Sequence, residues 1–327
     1  MPSLKTNYLG LELKSPIIIG SSGLTKKIDN LKIAEQKGAG AVVLKSFFEE
    51  QIDYETNETA AKSLLNYPEA DEYIKVYLKQ HSLNFFTESI KNTRKALRIP
   101  VIASLCCSNT GEWSYYAKAV EKAGACGLEL NMIIPAHDAN QTATDIENKY
   151  CQIVEEVKSS TNLKIGCKIS NKFTNITNFI KQLQARGIDD FILFNKFFSP
   201  VIDTDNERII SAPLLSTNAD AKHSLRDIAV ISGLLPNTKL SASTGVFSAN
   251  DAIQLMLAGA STVQLCSVLY QKGFHEITAI YDGIAEWMDE KSYDSIDDFR
   301  GKLSYSNVGD AQLYERFQFI KYFTNLE

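Results

Sequence analysis

Short, continuous apolar runs rich in β-branched residues recur along this chain, and segments with helical spacing lie between them. The runs fall at Pro16–Gly20, Ala41–Lys45, Pro100–Ser104, Gly127–Asn131, Leu163–Ile169, Asp190–Asn195, Lys239–Ser243 and Thr262–Leu265. Their apolar character is continuous rather than alternating, as in strands covered on both faces. Eight such strands with helices between them predict an α/β fold closed as a (β/α)₈ TIM barrel. A doubly wound open sheet is the alternative fold. The lack of a G-x-G-x-x-G after the first run counts against it.

The intervening segments supply the helices. They are predicted at Lys26–Lys37, Trp113–Lys122, Asp145–Ser159, Ile176–Arg186, Ala249–Leu257 and Phe274–Asp289. Gly38, Gly187 and Gly259 follow three of them as stops, and Ser248 with Asp251 forms a capping-box-like start. Two stretches lie outside the repeat. Thr6–Leu13 reads as a hairpin turning at Leu9-Gly10 and capping the barrel floor. Residues 47–97 are too long for one connection and predict an insertion with two helices, Ala70–Lys79 and Phe85–Leu97. An insertion after the second strand lies on the C-terminal face, where barrel active sites are built. The 327 residues therefore read as one barrel domain, 1–327, with an inserted segment.

Composition narrows the function classes. Lys and Arg number 34 against 39 Asp and Glu, a net charge of −5, and the basic residues are scattered. No nucleic-acid footprint is present. No apolar run approaches the roughly 20 residues of a membrane span, so no membrane association is expected. The start Met1-Pro2-Ser3-Leu4-Lys5 lacks the apolar core of a signal peptide. The six cysteines form no C-x-x-C pair and no zinc-like cluster, so no metal site is expected. Several sit in apolar runs as buried thiols do, which suits a reducing, cytoplasmic location.

Polar residues at the strand ends carry the chemistry. Lys45 and Lys168 each close or interrupt an apolar strand, where an ammonium is costly to desolvate unless an acceptor meets it. Each alone reads equally well as a lysine snorkelling to solvent at the rim. Together, and with Asn131 and Asn195 also at strand ends, they favour a polar small-molecule ligand with anionic character. Asn131 offers donors and an acceptor to a flat heterocycle; the plainer reading is a cap or turn residue. Ser243-Thr244-Gly245 and Leu265-Cys266-Ser267 end the last two strands, where many barrels bind phosphate. His137, in the loop after the fourth strand, is a candidate acid or base, against the plainer reading of a solvated loop residue. Cys106-Cys107 reads as packed thiols.

The order of these strand-end residues resembles the dihydroorotate dehydrogenases, most of all their soluble class 1 branch, over nearly the whole length. Pro16-Ile-Ile-Ile-Gly-Ser21-Ser22-Gly23 resembles the first-strand segment whose backbone meets a flavin. Ala39-Gly-Ala-Val-Val-Leu-Lys45-Ser46 resembles the second strand with its flavin- and substrate-facing lysine. Leu128-Glu-Leu-Asn131 resembles the segment whose asparagine touches flavin and orotate. Lys168 falls on the lysine near the flavin N1–O2 edge and Asn195 on a substrate-binding asparagine. Asp251-Ala252 and the tail from Tyr293 to Lys302 match as well. The resemblance implies flavin mononucleotide (FMN) as cofactor, held by Ser21, Ser22, Gly23, Lys45, Ser46, Asn131, Lys168, Ser216, Thr244, Gly245, Cys266 and Ser267. It implies substrate contacts from Lys45, Asn131 and Asn195. Class 1 relatives are often dimers, so a homodimer is an expectation too.

The departures from the family pattern are specific. The strand-four loop reads Asn131-Met-Ile133-Ile134-Pro135-Ala136. Ile134 takes the place of the Cys or Ser base and Ala136 that of a substrate asparagine. Isoleucine cannot accept a proton. The insertion lacks the family's substrate-amide segment; Leu65-Asn66-Tyr67-Pro68-Glu69 is the nearest equivalent. Gly-Thr-Gly-Gly is replaced by Ala242-Ser243-Thr244-Gly245, Ile-Gly-Thr by Leu265-Cys266-Ser267, and the Gly-rich loop before the next helix by Leu215-Ser216-Thr217-Asn218. The resemblance implies an FMN-dependent oxidoreductase of the dihydroorotate-to-orotate type, in pyrimidine biosynthesis. The alternatives are a paralogue without redox chemistry that acts on another planar ligand or as a binding protein, and a flavin-free enzyme using Lys45 or Lys168 as a Schiff base.

Overall fold

The computed structural model describes residues 2–48, 68–106, 112–196, 200–211 and 214–315. Eight parallel strands form a closed ring: β3 (Ile17–Ile19), β4 (Ala41–Val43), β6 (Val101–Cys106), β7 (Gly127–Asn131), β8 (Ile165–Ile169), β9 (Asp190–Leu193), β12 (Lys239–Ser243) and β13 (Thr262–Leu265). β13 pairs with β3 through Val263 and Ile17, and the ring closes where Val42 meets Val101 and Val43 meets Ile102. The predicted strands are all present, each within two residues of its expected start. β5 (Phe47–Phe48) adds a short parallel rung beside Leu105 and Cys106 at the strand ends.

The floor is the predicted hairpin, β1 (Thr6–Tyr8) and β2 (Leu11–Leu13). Its two-residue turn places Leu9 at φ 51° and Gly10 at φ 70°, the doubly left-handed geometry that suits the twist of flanking strands. Leu9 and Leu13 are 1% exposed and pack with Tyr8 into the barrel interior against Ile18, Ala41, Val43, Ile102 and Ile192. The plug needs room that two strand glycines provide. A Cβ on Gly127 would lie 2.8 Å from Leu9 Cδ1, and one on Gly166 would lie 3.0 Å from Leu9 Cδ2. The Leu9 amide donates to Asp190 Oδ1 at 2.9 Å. Burial pushes the Asp190 carboxyl up, and that hydrogen bond partly offsets it.

The outer layer comprises α1 (Ile28–Gln36), α2 (Pro68–Ala96), α3 (Trp113–Lys122), α4 (Ala143–Ser160), α5 (Ile176–Gln184), α6 (Asn218–Leu234), α7 (Ala249–Ala258), α8 (Ser267–Gln271) and α9 (His275–Glu290). The larger core lies between this layer and the outward faces of the strands. Ser248 caps α7 by accepting from the Asp251 amide, and Gly259, at φ 131°, closes it, as predicted. The inserted segment departs from expectation: α2 is one 29-residue helix rather than two. No glycine or proline interrupts Gln80–Asn84, and a buried stripe of Leu83, Phe86, Ile90 and Thr93 begins inside the expected break. Beyond β5, the elements without a sequence-level prediction include α6, the short α8 and the antiparallel hairpin β10 (Pro200–Asp203) with β11 (Arg208–Ser211). That hairpin exposes Val201, Ile202, Ile209 and Ile210.

The plug predicts a measurable coupling. Gly127→Ala overfills the floor and is expected to cost about 1–3 kcal/mol, and Leu9→Ala about 2–5 kcal/mol. The double variant should lose clearly less than the sum, because trimming Leu9 makes room for the new methyl. Urea denaturation of the four proteins checks this; strict additivity would place Leu9 elsewhere.

Candidate active site

Strand parity decides which residues share the barrel mouth. Leu128, Leu130, Cys167, Ile169, Val263 and Leu265 join the outer core, so the alternate positions Glu129, Asn131, Lys168 and Gln264 turn inward. Asn131 stands opposite Lys168 in the β7–β8 register. The resulting chain of contacts runs up the barrel axis. Lys168 Nζ donates to Gln264 Oε1 at 3.3 Å, and Gln264 Nε2 donates to Glu129 Oε1 at 2.6 Å. The Tyr8 hydroxyl, from the floor hairpin, donates to the same carboxylate oxygen.

Glu129 is fully buried, and among the described residues its Oε2 has no hydrogen-bond partner. Burial pushes its carboxyl up; the Lys168 charge and the donors Tyr8 and Gln264 pull it back. Tyr8 is pushed well up, first by burial and then by the Glu129 charge.

The second lysine sits in different surroundings. Lys45 is half-buried, with its Nζ 4.4 Å from the centre of the Phe48 ring. Burial and then the positive charge of Lys26 push its ammonium down. Beside it, hydroxyls link three strand ends. The Ser46 amide donates to Ser21 Oγ at 2.8 Å, and Ser46 Oγ lies 2.9 Å from Ser21 Oγ and 2.8 Å from Ser104 Oγ.

Asn195 Nδ2 donates to Asn131 Oδ1, bringing the two predicted amides together. The Asn195 amide N–H donates to the Ile169 carbonyl at 2.9 Å, fixing the backbone there. Among the described residues the Asn131 amide group and the Asn195 carbonyl oxygen remain uncommitted. They are one donor group and one acceptor beside Lys168, the set that suits a ring with alternating carbonyl and N–H groups.

The altered loops after the last strands also converge. Ser216 donates to Ser267 Oγ through its amide and its hydroxyl, both at 2.9 Å, and the Gly245 amide donates to Ser216 Oγ at 3.3 Å. Accepting both bonds leaves the Ser267 proton for an acceptor outside the cluster. Thr244 and Gly245 take φ 78° and 86°, and a Cβ on Gly245 would lie 2.2 Å from the Ala221 amide nitrogen of α6. The one retained glycine is therefore fixed by packing. Hydroxyls and backbone N–H groups here form a donor set that fits a phosphate. The buried Ser22 hydroxyl has no well-formed hydrogen bond, and the Cys266 thiol, a weak partner, lies beside it. Burial pushes that thiol up against the opposing pull of Ser22, Lys168 and Lys45. Gly23 is exposed, and a Cβ there would lie 2.7 Å from the Tyr270 hydroxyl.

The strand-four loop carries Ile134 at the position where the resemblance expects a base. Ile134 packs on the outer core and its amide donates to Tyr150 Oη at 3.0 Å. His137 and Ala136 are exposed, and His137 makes no hydrogen bond among the described residues. Cys107 and Leu65-Asn66-Tyr67 lie outside the described residues. Sequence reasoning gave no role to Glu129, Gln264 or Tyr8. The signal available was a carboxylate and an amide at inward parity inside otherwise apolar strands.

Removing one donor tests the axis. Tyr8→Phe is expected to destabilise by about 1–3 kcal/mol at neutral pH. The folded-state Glu129 carboxyl is already raised, and losing the Tyr8 donor raises it further. The stability that Glu129 contributes is fully present below the ordinary carboxylate range and lost as pH rises through its raised value. The deficit of Tyr8→Phe should therefore be smallest in acid and grow with pH. A deficit independent of pH, in urea titrations across that range, would separate Tyr8 from Glu129.

Comparison with known proteins matches this arrangement to a family. The family model described as dihydroorotate dehydrogenase matches residues 3–288. A dihydroorotate dehydrogenase B (NAD(+)) catalytic subunit from Pyrococcus furiosus is 26% identical over 310 residues, covering 91% of this chain and 98% of that protein. The protein of the same name from Methanosarcina acetivorans is 27% identical over 312 residues, covering 92% and 96%. A putative dihydroorotate dehydrogenase A (fumarate) from Aeropyrum pernix is 25% identical over 311 residues, covering 92% and 97%. With closed barrel and family match in agreement, the chain belongs to the dihydroorotate dehydrogenase family.

Proposed function

We propose that this protein is an FMN-dependent oxidoreductase acting on a planar, anionic dihydropyrimidine or close analogue of dihydroorotate. The observation that carries the reading is the Asn131–Asn195 pair, with its uncommitted donor and acceptor, held beside Lys168. Ser216, Ser267 and Gly245 would hold the phosphate, and Ser21, Ser22, Gly23, Lys45, Ser46, Thr244 and Cys266 would line the remainder. When bound, the flavin supplies the two-electron acceptor that amino-acid side chains lack. Lys168 would place a positive charge at the edge where negative charge accumulates, and Lys45, over the Phe48 ring, would meet an anionic substrate group.

Ile134 sets the limit on the chemistry. With an isoleucine packed where the family's base stands, the residues present support a substrate whose oxidation needs no side-chain proton acceptor at that face. The same substitution supports the second reading, a paralogue that binds a planar ligand without turning it over. No described helix is long and apolar enough to cross a membrane, and Cys126, Cys151, Cys167 and Cys266 are free thiols, which supports action in a reducing cytoplasm. A homodimer would find an apolar face in the β10–β11 hairpin.

The visible absorption spectrum of the purified protein, with and without added FMN, is the direct test. A bound-flavin spectrum that bleaches with dihydroorotate is the expected result for the parent activity. A flavin spectrum that does not bleach points to a different planar substrate, and no flavin under either condition overturns the redox reading. Ile134→Cys with Ala136→Asn should raise dihydroorotate turnover by about a hundredfold, the lower end of what a general base contributes. Steady-state kinetics showing no gain would mean that the pocket is remodelled beyond these two positions.

A further inference from the structure

The Tyr8–Glu129–Gln264–Lys168 chain is more than the mouth needs for binding. Glu129 is 0%, Tyr8 2% and Gln264 3% exposed, inside a barrel whose interior also holds Ser104, Asp190, Ser241 and Thr262 among its apolar side chains. Apolar side chains of similar volume fill such a core at lower cost than a carboxylate does. Among the described residues both donors, Tyr8 and Gln264, meet the same carboxylate oxygen, Oε1. The charge that compensates Glu129 is the Lys168 ammonium, one amide away.

Gln264 can connect the two charges in only one orientation. Its carbonyl oxygen accepts from the ammonium and its amide group donates to the carboxylate. The flipped amide would set oxygen against oxygen and N–H against ammonium. The bridge therefore aligns a dipole between a fully buried anion and a cation at the mouth, in surroundings that screen weakly.

We infer that Glu129 and Gln264 are positioning residues that anchor Lys168 and moderate its charge, and so set how strongly the barrel mouth favours an anion. The effect on bound flavin rests on the FMN reading; the coupling of Glu129 to Lys168 does not. Both act through the lysine.

The test uses the full-length protein and Glu129→Gln, which keeps the shape and an acceptor oxygen but removes the charge. Without the anion joined to it through Gln264, Lys168 should react about tenfold faster with an amine-directed reagent. This is read as the rate of reductive methylation at Lys168 by peptide mass spectrometry, with Lys45 as internal reference. In FMN-loaded protein the same variant should move the flavin midpoint potential upward by about 30 mV, a tenfold gain for the reduced form of a two-electron couple. Oxidised-FMN affinity should change less than twofold. Gln264→Met, which keeps both charges and most of the volume, should instead weaken FMN binding about tenfold. If Glu129→Gln does not fold, Gln264→Met is read on its own, and unchanged FMN affinity with unchanged Lys168 methylation overturns the inference. Unchanged Lys168 methylation in folded Glu129→Gln overturns it whether or not flavin binds. Changed methylation in a protein that takes up no FMN upholds the coupling and sinks the flavin reading alone.

Discussion

Everything at the mouth depends on a parallel hydrogen-bonded ladder that closes on itself where Val42 and Val43 meet Val101 and Ile102. Closure forces the C-terminal ends of all eight strands onto one rim, and the period of two forces alternate side chains onto one axis. Residues far apart in sequence become neighbours without any local code for it. Asn131 and Asn195, Ser21 and Ser46, and Ser216 and Ser267 meet because the ring brings their strand ends together.

Much of this was legible in the chain because a buried parallel strand leaves a strong mark: a continuous apolar run bounded by polar strand-end residues. The runs at Gly127–Asn131 and Lys239–Ser243 match the observed strands residue for residue. Where the mark is weak, reading failed. The buried face of α6 carries Ala221, Ser224, Ile228, Ala229 and Ile231, and its small and polar members blur the helical period. The hairpin β10–β11 buries almost nothing, so it lacks a core-facing pattern. The expected break in the inserted helix falls at Gln80–Asn84, a polar stretch that in fact bridges one turn through Gln80 Nε2 and Asn84 Oδ1.

At the site the same division holds. Lys45, Asn131, Lys168 and Asn195 announce themselves as polar residues ending apolar strands. Glu129 and Gln264 are also polar, but their meaning lies in each other, 135 residues apart, and in Tyr8, 121 residues from Glu129. No local pattern encodes such a pairing. Ile134 shows the converse: the sequence sets an isoleucine where the resemblance expects a base, and the structure adds that it is partly buried against the outer core.

The ring also imposes an order of events on the chain as it is made. β3 has β4 on one side, available early, and β13 on the other, where Ile17 must wait for Val263. Until almost the whole barrel has left the ribosome, the first strand keeps one unpaired parallel edge, and the Tyr8–Leu9 plug has no complete cylinder to fill. Long-range pairing of this kind folds slowly and leaves intermediates with open edges. Synthesis halted before Thr262 would therefore release a molecule with most of its helices and strands but an open seam, competent to bind another strand rather than a ligand.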